Sequence, residues 1–185
     1  MKRLKGVLLV LLGILAILLI IYAYYGGFSK LEFKISHEGG ETIVYKEMRG
    51  SYSKSGKMMD SVYNGLLGDY SIETIKGIGI YYDNPDNVEK DKLRSDIGCI
   101  IEKEDIGNLS RLDNTYKIKI CPISDYLTVQ MPFQGFISVM IGIFRVYPAM
   151  EKYLQKNGYS DKGAIMEIYD TPYKTITYRK ALIKK

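Results

Sequence analysis

Residues 42–68 read TIVYKEMRGSYSKSGKMMDSVYNGLLG, followed by IGIYYDNP at residues 78–85 and LRSDIGCIIE at residues 93–102. A later part of the chain has the same pattern: LTVQMPFQGFISVMIGIFRVYPAMEKYL (127–154), IMEIYDTP (165–172) and KTITYRKALIK (174–184). Gly50 matches Gly135, and Tyr82-Asp83 matches Tyr169-Asp170. Each part is therefore predicted to form a strand, a glycine turn, a helix, a strand, an Asp-x-Pro turn and a final strand.

Local patterns support each predicted element. Alternating β-branched residues at 43–48, followed by Gly50, indicate a strand that ends in a turn. Apolar residues recur at helical spacing in both parts: Met58, Met59, Val62, Tyr63, Leu66 and Leu67, and then Ile137, Met140, Ile141, Phe144, Met150, Tyr153 and Leu154. Gly68 and Asn157-Gly158 are expected to end these helices, and Pro148 is expected to kink or restart the second one.

Residues 28–185 are enough for one domain with a well-buried core. Because a single β-α-β-β unit would expose one face of its sheet, we expect the units at about 31–105 and 115–184 to pack together. The predicted class is α+β, with an N-terminal transmembrane helix and a duplicated β-α-β-β module. This module should form an antiparallel sheet with helices on one face and a central groove, which is a favoured place for a ligand.

The N-terminal segment is predicted to cross a membrane. Residues 7–21 read VLLVLLGILAILLII and contain no polar residue. As a helix, residues 6–25 would span roughly 30 Å, the thickness of a bilayer's hydrocarbon core. We therefore expect residues 1–27 to be an anchor, with residues 6–25 in contact with lipid. A cleaved signal peptide and a buried core helix are the alternatives, although the apolar run is long for the first and lacks a polar face for the second.

The net charge of +5 is concentrated at the N-terminus, where Lys2, Arg3 and Lys5 have no acidic neighbour up to residue 27. The rest of the chain carries +2, which is too balanced for a nucleic-acid surface, so no nucleic-acid partner is expected. The positive-inside rule predicts a single-pass protein with a cytosolic N-terminus and an exoplasmic domain. The alternative is a cytosolic domain.

Several short motifs resemble those of one known family: Tyr81-Tyr82-Asp83-Asn84-Pro85, Leu93-Arg94-Ser95-Asp96-Ile97-Gly98-Cys99, Ile165-Met166-Glu167-Ile168-Tyr169 and the Gly50-Ser51-Tyr52 turn. Over most of residues 31–184 the chain resembles the GyrI-like (gyrase-inhibitor-like) small-molecule-binding domain. The resemblance implies a duplicated β-α-β-β module around a groove. In some members this groove takes lipophilic cations, and other members are hydrolases of cyclopropane-bearing toxins.

Glu167 is the leading candidate for a ligand-binding residue. It stands in an apolar strand, where Ile80 matches it in the first repeat, and burial would raise the pKa of an unpaired carboxyl group there. The resemblance implies that Glu167 lies in the groove and attracts a cation. Four residues at matched turns and strands are expected to form the aromatic walls: Tyr52, Tyr82, Phe133 and Tyr169. The alternative is a solvent-facing Glu167 that pairs with a lysine.

The leading functional hypothesis is a membrane-anchored module that binds a hydrophobic or cationic small molecule. One alternative is a protein-interaction domain without a ligand, and a second is a hydrolase in which Tyr52 and Glu167 act together; no catalytic residue is assigned. No cofactor or metal site is expected, since Cys99 and Cys121 lack the spacing of metal ligands. These cysteines are expected to be buried thiols, or a disulfide if the domain is exoplasmic.

Overall fold

The computed structural model describes residues 2–185, which form three α-helices, two 3₁₀ segments and eight strands. The helices are α1 (Lys2–Tyr24), α2 (Ser55–Tyr70) and α3 (Phe136–Lys156). The strands are β1 (Lys34–Glu38), β2 (Thr42–Arg49), β3 (Lys76–Tyr81), β4 (Arg94–Ile100), β5 (Lys117–Ile120), β6 (Ser124–Pro132), β7 (Ile165–Asp170) and β8 (Thr175–Ala181). The 3₁₀ segments are Tyr52–Lys54 and Lys103–Arg111.

The strands form one antiparallel sheet in the order β1-β6-β8-β7-β3-β4-β2-β5. β3 and β7, one from each half of the chain, are neighbours in the middle of this sheet. Each helix after α1 follows a glycine with a positive φ, 108° at Gly50 and 106° at Gly135, a conformation that favours a residue without a side chain. The predicted α+β class with an antiparallel sheet is confirmed.

α2 and α3 cover the same face of the sheet. Cys99, Gly77 and Tyr169 stand side by side across β4, β3 and β7, so they point to one face. Cys99 packs with residues of α2, and Tyr169 packs with residues of α3. A separate apolar cluster fills the opposite face: Ile43, Tyr45, Ile78, Ile80, Ile100, Cys121, Tyr126, Met166 and Ile168. Both faces of the central strands are therefore buried.

α3 ends before Asn157-Gly158, as expected, but the end of α2 differs from the sequence-based expectation. α2 continues past Gly68 to Tyr70, and the next residue, Ser71, adopts the left-handed conformation with φ 56°. The Ile72 amide donates a hydrogen bond to the Leu66 carbonyl in the last turn of α2, and the Ile72 side chain is fully buried. The packing of Ile72 therefore determines where α2 ends. α3 runs through Pro148 as one helix, without a restart.

α1 is apolar along its length, and Arg3–Tyr24 is long enough to cross a membrane. Its 23 residues correspond to a helix of roughly 34 Å. None of its most apolar window is buried by the rest of the described chain, which excludes the core-helix alternative. Membrane spans and signal sequences share these features.

Candidate ligand-binding groove

A groove of about 1700 Å³ lies between α2 and α3 above the middle of the sheet. α2 packs mainly on β4 and α3 mainly on β6, so the central strands β3 and β7 form the floor between them. On β3 this floor is built by Gly77 and Gly79, which project no side chain into the space. A side chain at Gly79 would place its first carbon 2.8 Å from the Tyr81 ring, so glycine makes room for that tyrosine.

Glu167 lies on β7 in this floor and is 1% exposed. The Tyr147 hydroxyl of α3 donates a hydrogen bond to its Oε1 over 2.8 Å, and the Tyr169 hydroxyl donates to its Oε2. Burial raises the pKa of Glu167, while the hydroxyls of Tyr169, Tyr147 and Tyr81 act in the opposite direction. The raised pKa that the sequence predicted for this carboxyl group is confirmed, and its alternative, a solvent-facing residue paired with a lysine, is wrong.

Four tyrosines surround this carboxylate: Tyr81, Tyr147, Tyr169 and Tyr178. Burial, followed by the charge of Glu167, raises the pKa of all four hydroxyl groups, which therefore stay protonated and can donate hydrogen bonds. Tyr178 stands opposite Glu167 on β8 and is fully buried, and its hydroxyl has no hydrogen-bond partner among the described residues. Gly142 of α3 provides the space for that hydroxyl, because a side chain there would collide with it.

No lysine, arginine or histidine within residues 3–185 forms an ion pair with Glu167. Lys180 lies on the same face two residues further along β8, but its Nζ donates to the Gly163 carbonyl over 2.9 Å. Burial lowers the pKa of Lys180. The groove thus contains a buried carboxyl group that accepts hydrogen bonds from tyrosine hydroxyls and has no cationic partner among the described side chains.

The four predicted aromatic residues differ in how close they come to Glu167. Tyr169 and Phe133 meet beside Glu167, with ring centroids 5.4 Å apart, and both line the groove. Tyr52 also lines it and packs edge-on against Tyr81 at 4.8 Å. The Tyr52 hydroxyl, however, bonds the backbone: it donates to the Asp83 carbonyl at 3.0 Å and accepts from the Asp83 amide at 3.1 Å. The hydroxyl of Tyr52 is thus engaged by the backbone, while the Glu167 oxygens accept from Tyr147 and Tyr169.

Tyr82 reaches only the rim of the groove. Its hydroxyl donates to Asp96 Oδ2 over 2.6 Å and accepts from Lys119 Nζ over 2.9 Å. Asp96 stands beside Ile80 on the face opposite Glu167, so this hydroxyl is directed away from the carboxylate. Ile80, which matches Glu167 in the sequence repeat, lies on that opposite face too, and the residue across from Glu167 is Gly79.

The sequence interpretation missed Tyr81, Tyr147 and Tyr178 as neighbours of the carboxylate. Tyr147 could have been found from the stripe on α3, since it follows Phe144 by three residues and precedes Met150 by three. Tyr178 gave no such signal, because only the pairing of β7 with β8 brings it next to Glu167.

The other acids and the cysteines have structural surroundings. Arg94 donates to both carboxylate oxygens of Asp83, which lowers the pKa of Asp83, and Lys119 pairs with Asp96. Cys99 and Cys121 are buried free thiols, and burial raises the pKa of Cys121 to about 11. Within residues 2–185, no group of three or more His, Cys, Asp or Glu side chains is placed to hold a metal ion.

An antiparallel eight-stranded sheet with two helices on one face and a groove between them defines an α+β domain with a ligand-sized groove. Residues 31–181 match the GyrI-like small molecule binding domain, and the chain belongs to this family. Among curated proteins it is similar to testis-expressed protein 264 of Homo sapiens, with 27% identity over 157 residues, which is 78% of this chain and 48% of that protein. The Mus musculus homolog is 27% identical over 145 residues, 71% of this chain and 45% of that protein. The chain thus spans about half the length of these relatives.

Solved structures share the fold at low identity. The crystal structure of the EcmrR C-terminal domain has a TM-score of 0.60 and 11% identity, covering 84% of this chain and 99% of that one. The structure of SAV2435 bound to tetraphenylphosphonium has a TM-score of 0.56 and 14% identity, covering 83% and 94%. Similarity at this level establishes the common fold.

Proposed function

We propose that the protein is a membrane-anchored module that binds an amphipathic cation, with the positive charge of the ligand placed against Glu167. The observation that carries the proposal is the buried carboxyl group without a cationic partner at the floor of an aromatic groove. SAV2435, which shares the fold, has been solved with the lipophilic cation tetraphenylphosphonium. That likeness supports the choice of ligand class.

The energetics favour a cation over a neutral ligand of the same shape. Burying an unpaired carboxylate is costly, and a ligand cation would offset that cost by direct attraction to a carboxyl group that is shielded from bulk water. Aromatic rings around the site can add ~0.5–2 kcal/mol each through cation–π contacts. Hydrogen bonds from Tyr147 and Tyr169 favour the charged form of the carboxyl group, against the effect of burial, and fix its orientation.

A titration with tetraphenylphosphonium tests this assignment. The full chain in detergent micelles would be titrated by calorimetry beside a Glu167→Gln variant and the neutral comparator triphenylphosphine oxide. We expect Glu167→Gln to weaken cation binding at least about tenfold, or ~1.4 kcal/mol, and to leave binding of the neutral compound nearly unchanged.

The matched control is Glu47→Gln, which removes the same charge from an exposed residue of β2 that pairs with Lys117. It should bind the cation as the wild type does, which separates a local effect from a change in net charge. Equal affinity of the wild type and Glu167→Gln, or no binding by either, would refute the proposal.

We also propose that residues 1–27 anchor the domain, with residues 6–25 in the bilayer, the N-terminus in the cytosol and the domain exoplasmic. The unburied apolar surface of α1 and the basic residues Lys2, Arg3 and Lys5, which precede its apolar run, support this arrangement. A cysteine introduced at the exposed Lys184 would report the side of the membrane. An impermeant maleimide should label it in intact cells, and labelling only after permeabilisation would assign the domain to the cytosol.

The two halves, at about 31–105 and 115–184, are proposed to be copies of one β-α-β-β module. Their common order of elements and the matching glycine turns at Gly50 and Gly135 support this. If so, the groove lies at the join of two related units, and Glu167 is a feature of the second unit alone.

A further inference from the structure

The segment that follows α1 is fixed to the middle of α3. Arg145 of α3 donates from Nη1 to the Gly26 carbonyl over 2.8 Å and from Nη2 to the Ser29 carbonyl over 2.7 Å. Tyr25 packs against the apolar cluster under α3, and Gly26 and Gly27 are buried. The domain is therefore held directly at the end of α1, without a flexible linker.

The path of the chain after this junction shows which end of the domain lies nearest to α1. From Gly26 the chain follows α3 towards its C-terminal end, because Phe33 lies 5.4 Å from Tyr153 between ring centroids. The segment therefore runs along the second half of α3, with the end of α1 at the start of this path, beside Arg145. A side-chain carbon on Gly26 would lie 3.2 Å from Pro132, the last residue of β6, which places the start of α3 at the same end.

Five exposed apolar residues on the first half of α3 and on the α2–β3 and β7–β8 connections are named here the apolar rim: Ile75, Phe136, Ile137, Phe144 and Tyr173. Phe144 is 73% exposed, Phe136 71% and Tyr173 78%. Backbone hydrogen bonds join the loop between β7 and β8 to its two neighbours. The Phe133 amide, after β6, donates to the Lys174 carbonyl, and the Thr171 amide donates to the Ile75 carbonyl, just before β3. Large exposed apolar clusters in soluble surroundings are unfavourable, so this one needs a partner.

We propose that the apolar rim rests in the interface of the bilayer that α1 crosses, and that the groove opens there onto lipid. Ile75, Phe136 and Phe144 also line the groove, so its mouth and the rim are continuous. Phenylalanine and tyrosine beside lysine are the residues that favour a membrane interface, and Lys174 adjoins Tyr173. The ligand then exchanges with the membrane, which concentrates amphipathic cations. The inference rests on the proposed anchoring and ligand class.

Lipid-borne quenchers test the position of the rim. The full chain would be placed in phosphatidylcholine nanodiscs after single Phe136→Cys or Phe144→Cys substitution and labelling with an environment-sensitive fluorophore. Selective labelling is feasible because Cys99 and Cys121 are buried. We expect doxyl groups near the lipid headgroup to quench both labels strongly and to shift their emission to the blue.

The matched control is Lys184→Cys, an exposed position after β8, at the end of the sheet away from α1. It should show little quenching. Equal, weak quenching at Phe136, Phe144 and Lys184 would overturn the inference and leave the rim to a protein partner. Melting curves that match the wild type would show that the substitutions leave the fold intact.

Two further measurements separate this inference from the proposed function. Resistance of the chain to carbonate extraction reports whether α1 is inserted, and tetraphenylphosphonium titration in micelles reports whether the groove binds a cation. If α1 is inserted and the cation binds while the rim labels stay unquenched, only the location of the rim is refuted. If the rim labels are quenched and the cation does not bind, the ligand class is refuted and the membrane contact stands.

Discussion

Tyr147 on α3 donates a hydrogen bond to Glu167 on β7, and Arg145, two residues earlier on the same helix, holds the carbonyls that follow α1. One turn of α3 thus connects the N-terminal helix with the buried carboxyl group. A shift of α3 would alter both contacts together. We therefore regard α3 as the element on which both the proposed site and its position at the membrane depend.

Removal of the Tyr147 hydroxyl should weaken cation binding without removing the carboxylate. A hydrogen bond to a charged group contributes about 1.5–3 kcal/mol, so Tyr147→Phe should lower affinity for tetraphenylphosphonium about tenfold or more at neutral pH. Calorimetric titration in micelles measures this. Tyr153→Phe on the same helix is the control, since its ring contacts Phe33 and makes no bond to Glu167. Equal losses in both variants would contradict a specific role for Tyr147.

Cation affinity should depend on pH through Glu167. Tetraphenylphosphonium keeps its charge at every pH, so protonation of the protein carboxyl group controls the attraction. Because the pKa of Glu167 is raised above its ordinary value of 4.5, affinity should still be increasing with pH above the range of an exposed glutamate, and then reach a plateau. Titrations over a pH series measure this profile. Glu167→Gln should flatten it, and an unchanged profile in that variant would assign the dependence to another group.

Glu167 should also reduce the stability of the unliganded fold. A folded-state pKa above the unfolded value means that the folded protein binds the proton more tightly, so stability from this group is lost as pH rises from 4.5 through the folded pKa. Glu167→Gln should therefore melt at a higher temperature than the wild type at neutral pH, with the difference narrowing as pH falls towards 4.5. Scanning calorimetry measures both values. Glu47→Gln should show no such gain, because that carboxylate is exposed and paired with Lys117.

Two helical glycines should respond in opposite ways to alanine. At Gly142 an added methyl group meets the buried Tyr178 hydroxyl, and overpacking of this kind costs about 1–3 kcal/mol. At Gly68 of α2 nothing lies within 4 Å of the added carbon, so the higher helix propensity of alanine should stabilise the fold by up to about 1 kcal/mol. Denaturant unfolding measures both free energies. A neutral Gly142→Ala variant would show that Tyr178 can move aside.

Much of the architecture could be predicted from the sequence because the relevant signals are local. The helices follow from apolar spacing, the turns from Gly50 and Gly135, and the candidate carboxyl group from a single acid inside the apolar run of β7. The edge strands β1 and β5 could not be predicted in the same way. They are only five and four residues long, and pairing with β6 and β2, distant in the chain, makes them strands.

The surroundings of Glu167 were harder to predict, since they depend on strand register. Tyr178 and Gly79 flank it only because β8 and β3 pair with β7 at those positions. The sequence repeat matched Glu167 with Ile80, but a shift of one residue reverses the face of a strand, and Ile80 belongs to the other side of the sheet. Tyr82 lines the groove as predicted, but its hydroxyl is directed to Asp96 rather than to Glu167.

The position of β1 at the far edge of the sheet has a consequence for biosynthesis. Lys34 and Thr128, which the sheet brings together, are 94 residues apart in the chain. At a synthesis rate of ~5–20 residues per second, the first strand would leave the ribosome roughly 5–20 s before its only neighbour is complete. During this interval residues 34–38 of the nascent protein lack the strand with which they pair in the sheet. Early protection by a chaperone would therefore matter most for residues 34–38, the first part of the domain to be made.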